Sequence, residues 1–167
     1  MGQTDSLIRY LGKKYKGQEG ETLYPDNSDP MLMQRIDSIL ELSSDFLVSY
    51  AGIVVPFYDA YKDRDTGIPT WLNETLPKFL EKLTEMRKGR NGPYLCADHI
   101  TVADIAMFSH FWKLAPNPKK DMRIHDGIKE KVYDEQNGYP LVAEWLKHMQ
   151  FTQMVKVFEK ITIESEF

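Results

Sequence analysis

The chain has 167 residues, 42% hydrophobic and 28% charged, with a formal charge of -4. This suits one globular domain with a single core, and it excludes the long basic field that nucleic acid partners require. The lone cysteine, Cys96, excludes an internal disulfide and points to a reducing compartment, most simply the cytoplasm.

MGQTDSLIRYLGKKY opens the chain. Thr4 as N-cap and Asp5 just inside predict a helix start, with an apolar stripe at Leu7, Ile8 and Leu11 and lysines in the last turn. The same letters fit Met-Gly-x-x-x-Ser/Thr, which makes Gly2 a lipidation candidate. Lys13, Lys14 and Lys16 would supply the second signal of a membrane anchor. The plainer reading makes Ser6 an ordinary helix residue. No apolar run approaches the roughly 20 residues of a bilayer span. The start also lacks a signal-peptide core, so secretion is not expected.

After a polar break, Ser28 or Asp29 caps a second helix with Pro30 in its first turn. Met33, Ile36, Ile39, Leu40, Phe46, Leu47 and Tyr50 carry its apolar period, and Pro56 should end it near Val55. YKDRDTGIP reads as a charged loop. Trp71, Leu72, Leu76, Phe79, Leu80, Leu83 and Met86 mark the next helix, where Pro77 predicts a kink or a late start. In DHITVADIAMF, Thr101 and Asp104 form a capping-box pattern, and Ile100 and Ile105 are spaced as a hydrophobic staple. APNPKKDMRIHDG reads as a loop, GIKEKVYDEQN as a helix, and YPLVAEWLKHM and FTQMVKVFEKI as two short amphipathic helices. No period-two strand pattern persists, so the chain reads as all-α.

These motifs, in this order, resemble the glutathione transferase family, nearest its alpha, mu and sigma-like classes. Gln3-Thr4-x-x-Leu7-x-x-Tyr10-Leu11 is similar to the segment that closes that family's glutathione site. DHITVADIAMF resembles the capping box and staple of its central buried helix, and GYPLVAEWLKHMQ its Tyr-Pro-x-Leu-x-x-Trp helix. The family joins a thioredoxin-like domain to an all-helical C-terminal domain. The resemblance implies that residues 1–17 are the last helix of the former and residues 28–167 the helical bundle. The remaining thioredoxin-like domain, with its sulfur-activating Tyr, Ser or Cys and its cis-Pro loop, has no counterpart in these letters. No residue therefore inherits a catalytic role.

The resemblance carries three binding positions over. Gln3 and Thr4 match the pair that holds the γ-glutamyl group, and Asp45 matches a residue that reaches the neighbouring subunit's glutathione amine. Simple capping for Gln3 and Thr4, and a solvated helix face for Asp45, are the competing readings. Tyr50, Val54 and Tyr58 lie where that family lines its hydrophobic-substrate pocket. No cofactor is expected, with glutathione as a weak ligand at most. No metal is expected either, because the nearest histidines, His99 and His110, are eleven residues apart. Beside Leu95, Cys96 reads as a buried, inert thiol.

The function expected is a non-catalytic scaffold or interaction subunit, as a homodimer or within a larger assembly. A piece of a catalytic glutathione transferase and an N-myristoylated membrane-surface protein are the alternatives. Partners would be proteins, not nucleic acid, and a membrane only if Gly2 is acylated.

Overall fold

A computed structural model describes residues 2–17, 20–26, 28–54, 64–90, 92–114, 122–133 and 138–151. Among them every regular element is helical, apart from one isolated antiparallel bridge between Lys16 and Thr22. The helices are α1 (Gly2–Lys14), α2 (Pro30–Val54), α3 (Arg64–Thr70), α4 (Leu76–Arg87), α5 (Val102–Leu114), α6 (Met122–Ile128) and α7 (Pro140–Phe151). Two π-helical turns, Trp71–Thr75 and Lys129–Tyr133, complete the elements. The expected stop at Pro56, the rest of the expected FTQMVKVFEKI helix after Phe151, and Tyr58 itself lie outside the described residues.

α2 and α5 form the most extensive helix pair. Phe46 sits at the centre of the core, with ring centroids 5.7 Å from Trp71, 5.3 Å from Phe79 and 5.1 Å from Phe111. Such tilted and edge-on ring pairs add to the area each aromatic buries. Leu47, expected on this apolar face, instead points outward and is 47% exposed. Its neighbour Phe46 already fills the space toward α5.

Local chemistry sets several boundaries. Asp29 is the cap of α2: its Oδ1 accepts the Leu32 N–H at 2.9 Å, and Pro30 occupies the first helical position. Ser28 donates its N–H to Asp26 Oδ1 at 3.0 Å instead. Pro77 brings the expected late start. It has no N–H to give and falls at the beginning of α4, just after the π-turn in which the Leu76 N–H reaches the Trp71 carbonyl.

Three expectations need correction. α1 begins at Gly2, so Thr4 lies inside the helix rather than capping it. Gly2, Gln3 and Thr4 are all helical, and the polar letters there mark more than one acceptable start. Arg64–Thr70 is helical where a loop was expected, because Ile68 is driven into the core at 1% exposure. Likewise α6 begins at Met122, inside the expected loop. Ile124, Ile128 and Val132, at four-residue intervals, are all buried and outweigh the polar letters between them.

Candidate functional site

Two faces of α1 meet different surroundings. Gly12 lies on the inner face and is the point of closest approach. A Cβ there would fall 2.6 Å from Val102 Cγ1 and 2.7 Å from Tyr24 Cβ. The Tyr24 N–H donates to the Gly12 carbonyl at 3.1 Å, and the Val102 N–H to the Leu23 carbonyl at 2.9 Å. The segment after α1 is thus clamped between α1 and the start of α5, and it satisfies one of α5's free N–H groups. Arg9 Nε donates to Asp37 Oδ1 at 2.8 Å, and the Tyr24 hydroxyl donates to the same carboxylate at 3.0 Å. This hydrogen bond to Asp37 is the main reason the Arg9 pKa is raised. Burial, then the bond to Asp37, raises that of Tyr24.

The outer face carries Leu7, Tyr10, Leu11 and Lys14, the spacing of a single helical stripe. Leu7 is 56%, Tyr10 58% and Leu11 39% exposed. The expected apolar stripe therefore looks outward, and from it Ile8 alone packs on the core. The Lys14 ammonium lies 5.8 Å from the centre of the Tyr10 ring and 5.4 Å from that of Tyr15, itself 54% exposed.

The positions implied for glutathione lie at one end of this helix. Ser44 donates its hydroxyl to Asp5 Oδ1 at 3.2 Å, which holds the first turn of α1 beside the middle of α2. Thr4 and Asp45 are each the sequence neighbour of one of these partners, and both are exposed. Gly2 and Gln3 belong to the first turn of α1, and the Gln3 side chain lies outside the description. Tyr50 is buried in the core with its ring 5.9 Å from that of Trp71. Among the described residues no group of His, Cys, Asp and Glu has the arrangement to hold a metal ion.

Asp104 serves the capping pattern and does more. Its Oδ2 accepts the Thr101 N–H at 2.9 Å and the Thr101 hydroxyl at 2.7 Å. Its Oδ1 accepts the Leu95 N–H at 2.8 Å and the Trp145 indole N–H at 3.1 Å. Burial pushes this carboxyl's pKa up, against the pull of the four donors. Ile100 packs on the core before the cap, and Ile105 stands half-buried after it. Cys96 is buried nearby. Burial, reinforced by the charge of Asp104, pushes its thiol up to about 12, as an inert cysteine requires.

Comparison with known proteins agrees with this architecture. A family model described as Glutathione S-transferase, C-terminal domain, matches residues 44–149. The solved structure of an Onchocerca volvulus Pi-class glutathione S-transferase is similar at 19% identity with a TM-score of 0.68. That likeness covers 98% of this chain and 66% of the solved one, and it concerns the fold. No curated protein sequence matches the chain. With more than half its length under the family model, the chain belongs to the glutathione S-transferase C-terminal domain family.

Proposed function

We propose that the chain is a non-catalytic interaction module that docks a protein partner on the outer face of α1, as a homodimer or in a larger assembly. The observation that carries this is the contiguous exposure of Leu7, Tyr10 and Leu11 on a helix whose opposite face is already clamped. Soluble proteins rarely leave such a stripe uncovered, and a rim of lysines around aromatic and aliphatic anchors suits a protein surface. Sedimentation velocity across the micromolar range tests it. Self-association is expected, and the double variant Leu7→Lys/Leu11→Lys should abolish it while leaving the melting temperature unchanged. A chain that stays monomeric removes the homodimer, and a double variant that still associates as the wild type does overturns the proposal that the outer face of α1 is the docking surface.

A second reading is supported by the Asp5–Ser44 hydrogen bond, which draws the first turn of α1 toward the stretch of α2 that holds Asp45. In this reading Gln3, Thr4 and Asp45 form part of a weak glutathione site, as in a piece of a catalytic transferase. A helix N-terminus suits the γ-glutamyl carboxylate and Asp45 suits its amine. Titration calorimetry with millimolar glutathione checks it, and absence of heat at that concentration removes it.

A further inference from the structure

A crevice of about 350 Å³ opens between α5, α7 and the stretch from α6 into its π-turn. Its origin lies in how α6 is seated. A Cβ on Gly127 would fall 2.5 Å from Leu72 Cδ1, so α6 is pressed onto the Trp71–Thr75 turn on one side. The following π-turn, Lys129–Tyr133, widens the backbone by a residue per turn where it faces α5 and α7.

The floor is apolar. Phe108 and Leu146 are each 1% exposed, and the half-buried Trp112 ring leans on Phe108 at 5.8 Å with 36° between planes. The rim is polar. Gln150 donates to the Tyr133 hydroxyl oxygen at 3.0 Å, which braces α7 against the π-turn. His125 and Lys129 line the same opening one helical turn apart. Asp126 is engaged by His125 Nδ1 at 2.9 Å, and among the described residues no carboxylate pairs with Lys129.

We propose that this crevice binds a small, flat aromatic carboxylate. The ring lies against Phe108, Trp112 and Leu146, and the carboxylate meets the Lys129 ammonium at the rim, beside His125. Three features select that class. The volume is at the lower end of small-molecule sites, the walls are aromatic, and among the described lining residues the one unpaired charge is the Lys129 cation on the edge. The site is separate from the outer face of α1 and independent of what docks there.

Naphthoate and its neutral analogue naphthylmethanol, titrated into the isotope-labelled full chain by heteronuclear NMR, test the proposal. Saturable shifts are expected at the Trp112 indole N–H and at the amides of Lys129 and Gln150. Lys129→Gln, at an exposed position, should weaken naphthoate about five- to tenfold and leave naphthylmethanol unchanged. No saturable shift at these groups overturns it, as do shifts confined to Leu7, Tyr10 and Leu11, or an unchanged naphthoate affinity in Lys129→Gln.

Discussion

Trp145 donates its indole N–H to Asp104 Oδ1 at 3.1 Å, which ties α7 to the first turn of α5 across 41 residues of chain. The same carboxylate caps α5 through Thr101 and holds the Leu95 backbone. Three separated segments therefore depend on one side chain, which is fully buried.

Asp104→Asn should destabilise the chain by about 2–4 kcal/mol, because an amide nitrogen replaces one oxygen and meets donors it cannot accept from. Trp145→Phe removes a single donor and should lose about 1–2 kcal/mol. Urea unfolding of the pair measures both. Equal losses would contradict the central position of Asp104.

Arg87 and Glu144 form an unequal ion pair. The Arg87 side chain is 4% exposed and that of Glu144 70%, with 3.1 Å between Nη2 and Oε2. Arg87 also donates to the Pro93 carbonyl at 3.1 Å, which holds the loop before α5. Glu144→Ala should lose less than about 1 kcal/mol, as exposed partners do. Arg87→Ala should lose about 2–4 kcal/mol, through the buried stem and the abandoned carbonyls. Thermal melts that rank the two the other way would place the value of the pair at the surface.

Cys96 links stability to alkaline pH. Its thiol rises from 9.0 to about 12 on folding. Below the unfolded value both states keep the proton and the contribution is intact. Above it the unfolded chain ionises first, so stability falls as pH rises toward the folded value, at up to about 1.4 kcal/mol per pH unit. The difference between the wild type and Cys96→Ala, followed by urea unfolding from neutral to alkaline pH, isolates this slope. Iodoacetamide should label the native thiol far more slowly than the urea-unfolded one.

Two glycines test how tightly the elements meet. At Gly12 a methyl group would strike Tyr24 Cβ at 2.7 Å, an atom fixed to its backbone. At Gly127 it would meet the branched end of Leu72 at 2.5 Å. Gly12→Ala should destabilise by about 1–3 kcal/mol, and Gly127→Ala by less, because a leucine terminus rotates away. Hydrogen exchange in Gly12→Ala should rise first along α1. Uniform exchange across all helices would show that α1 is not seated through this contact.

Much of the fold was legible because helix signals are local. Asp29 with Pro30, Thr101 with Asp104, and the break at Pro77 each act within one turn of chain. The Leu7–Leu11 stripe was legible as apolar, but its direction was not. Gly12 and Ile8 decide that by fitting against Tyr24, Val102 and the core. α3 and the start of α6 were missed because Asp, Gly and Pro argue for loops locally, while Ile68, Ile124 and Ile128 gain more by burial. The period of Ile124, Ile128 and Val132 was present in the letters. Of the implied site, the letters named Gln3, Thr4 and Asp45, and the Asp5–Ser44 bond that joins their two helices could not be read from them.

By itself the sequence determined an all-helical chain with its main caps and the likeness to a known family, since periodicity and capping are properties of neighbouring residues. The tertiary structure decided which apolar residues face outward, that Asp104 bridges three segments, and that a crevice opens beside the second π-turn. Each of these depends on which surfaces meet across long stretches of chain, and close packing settles that only when all the helices are in place.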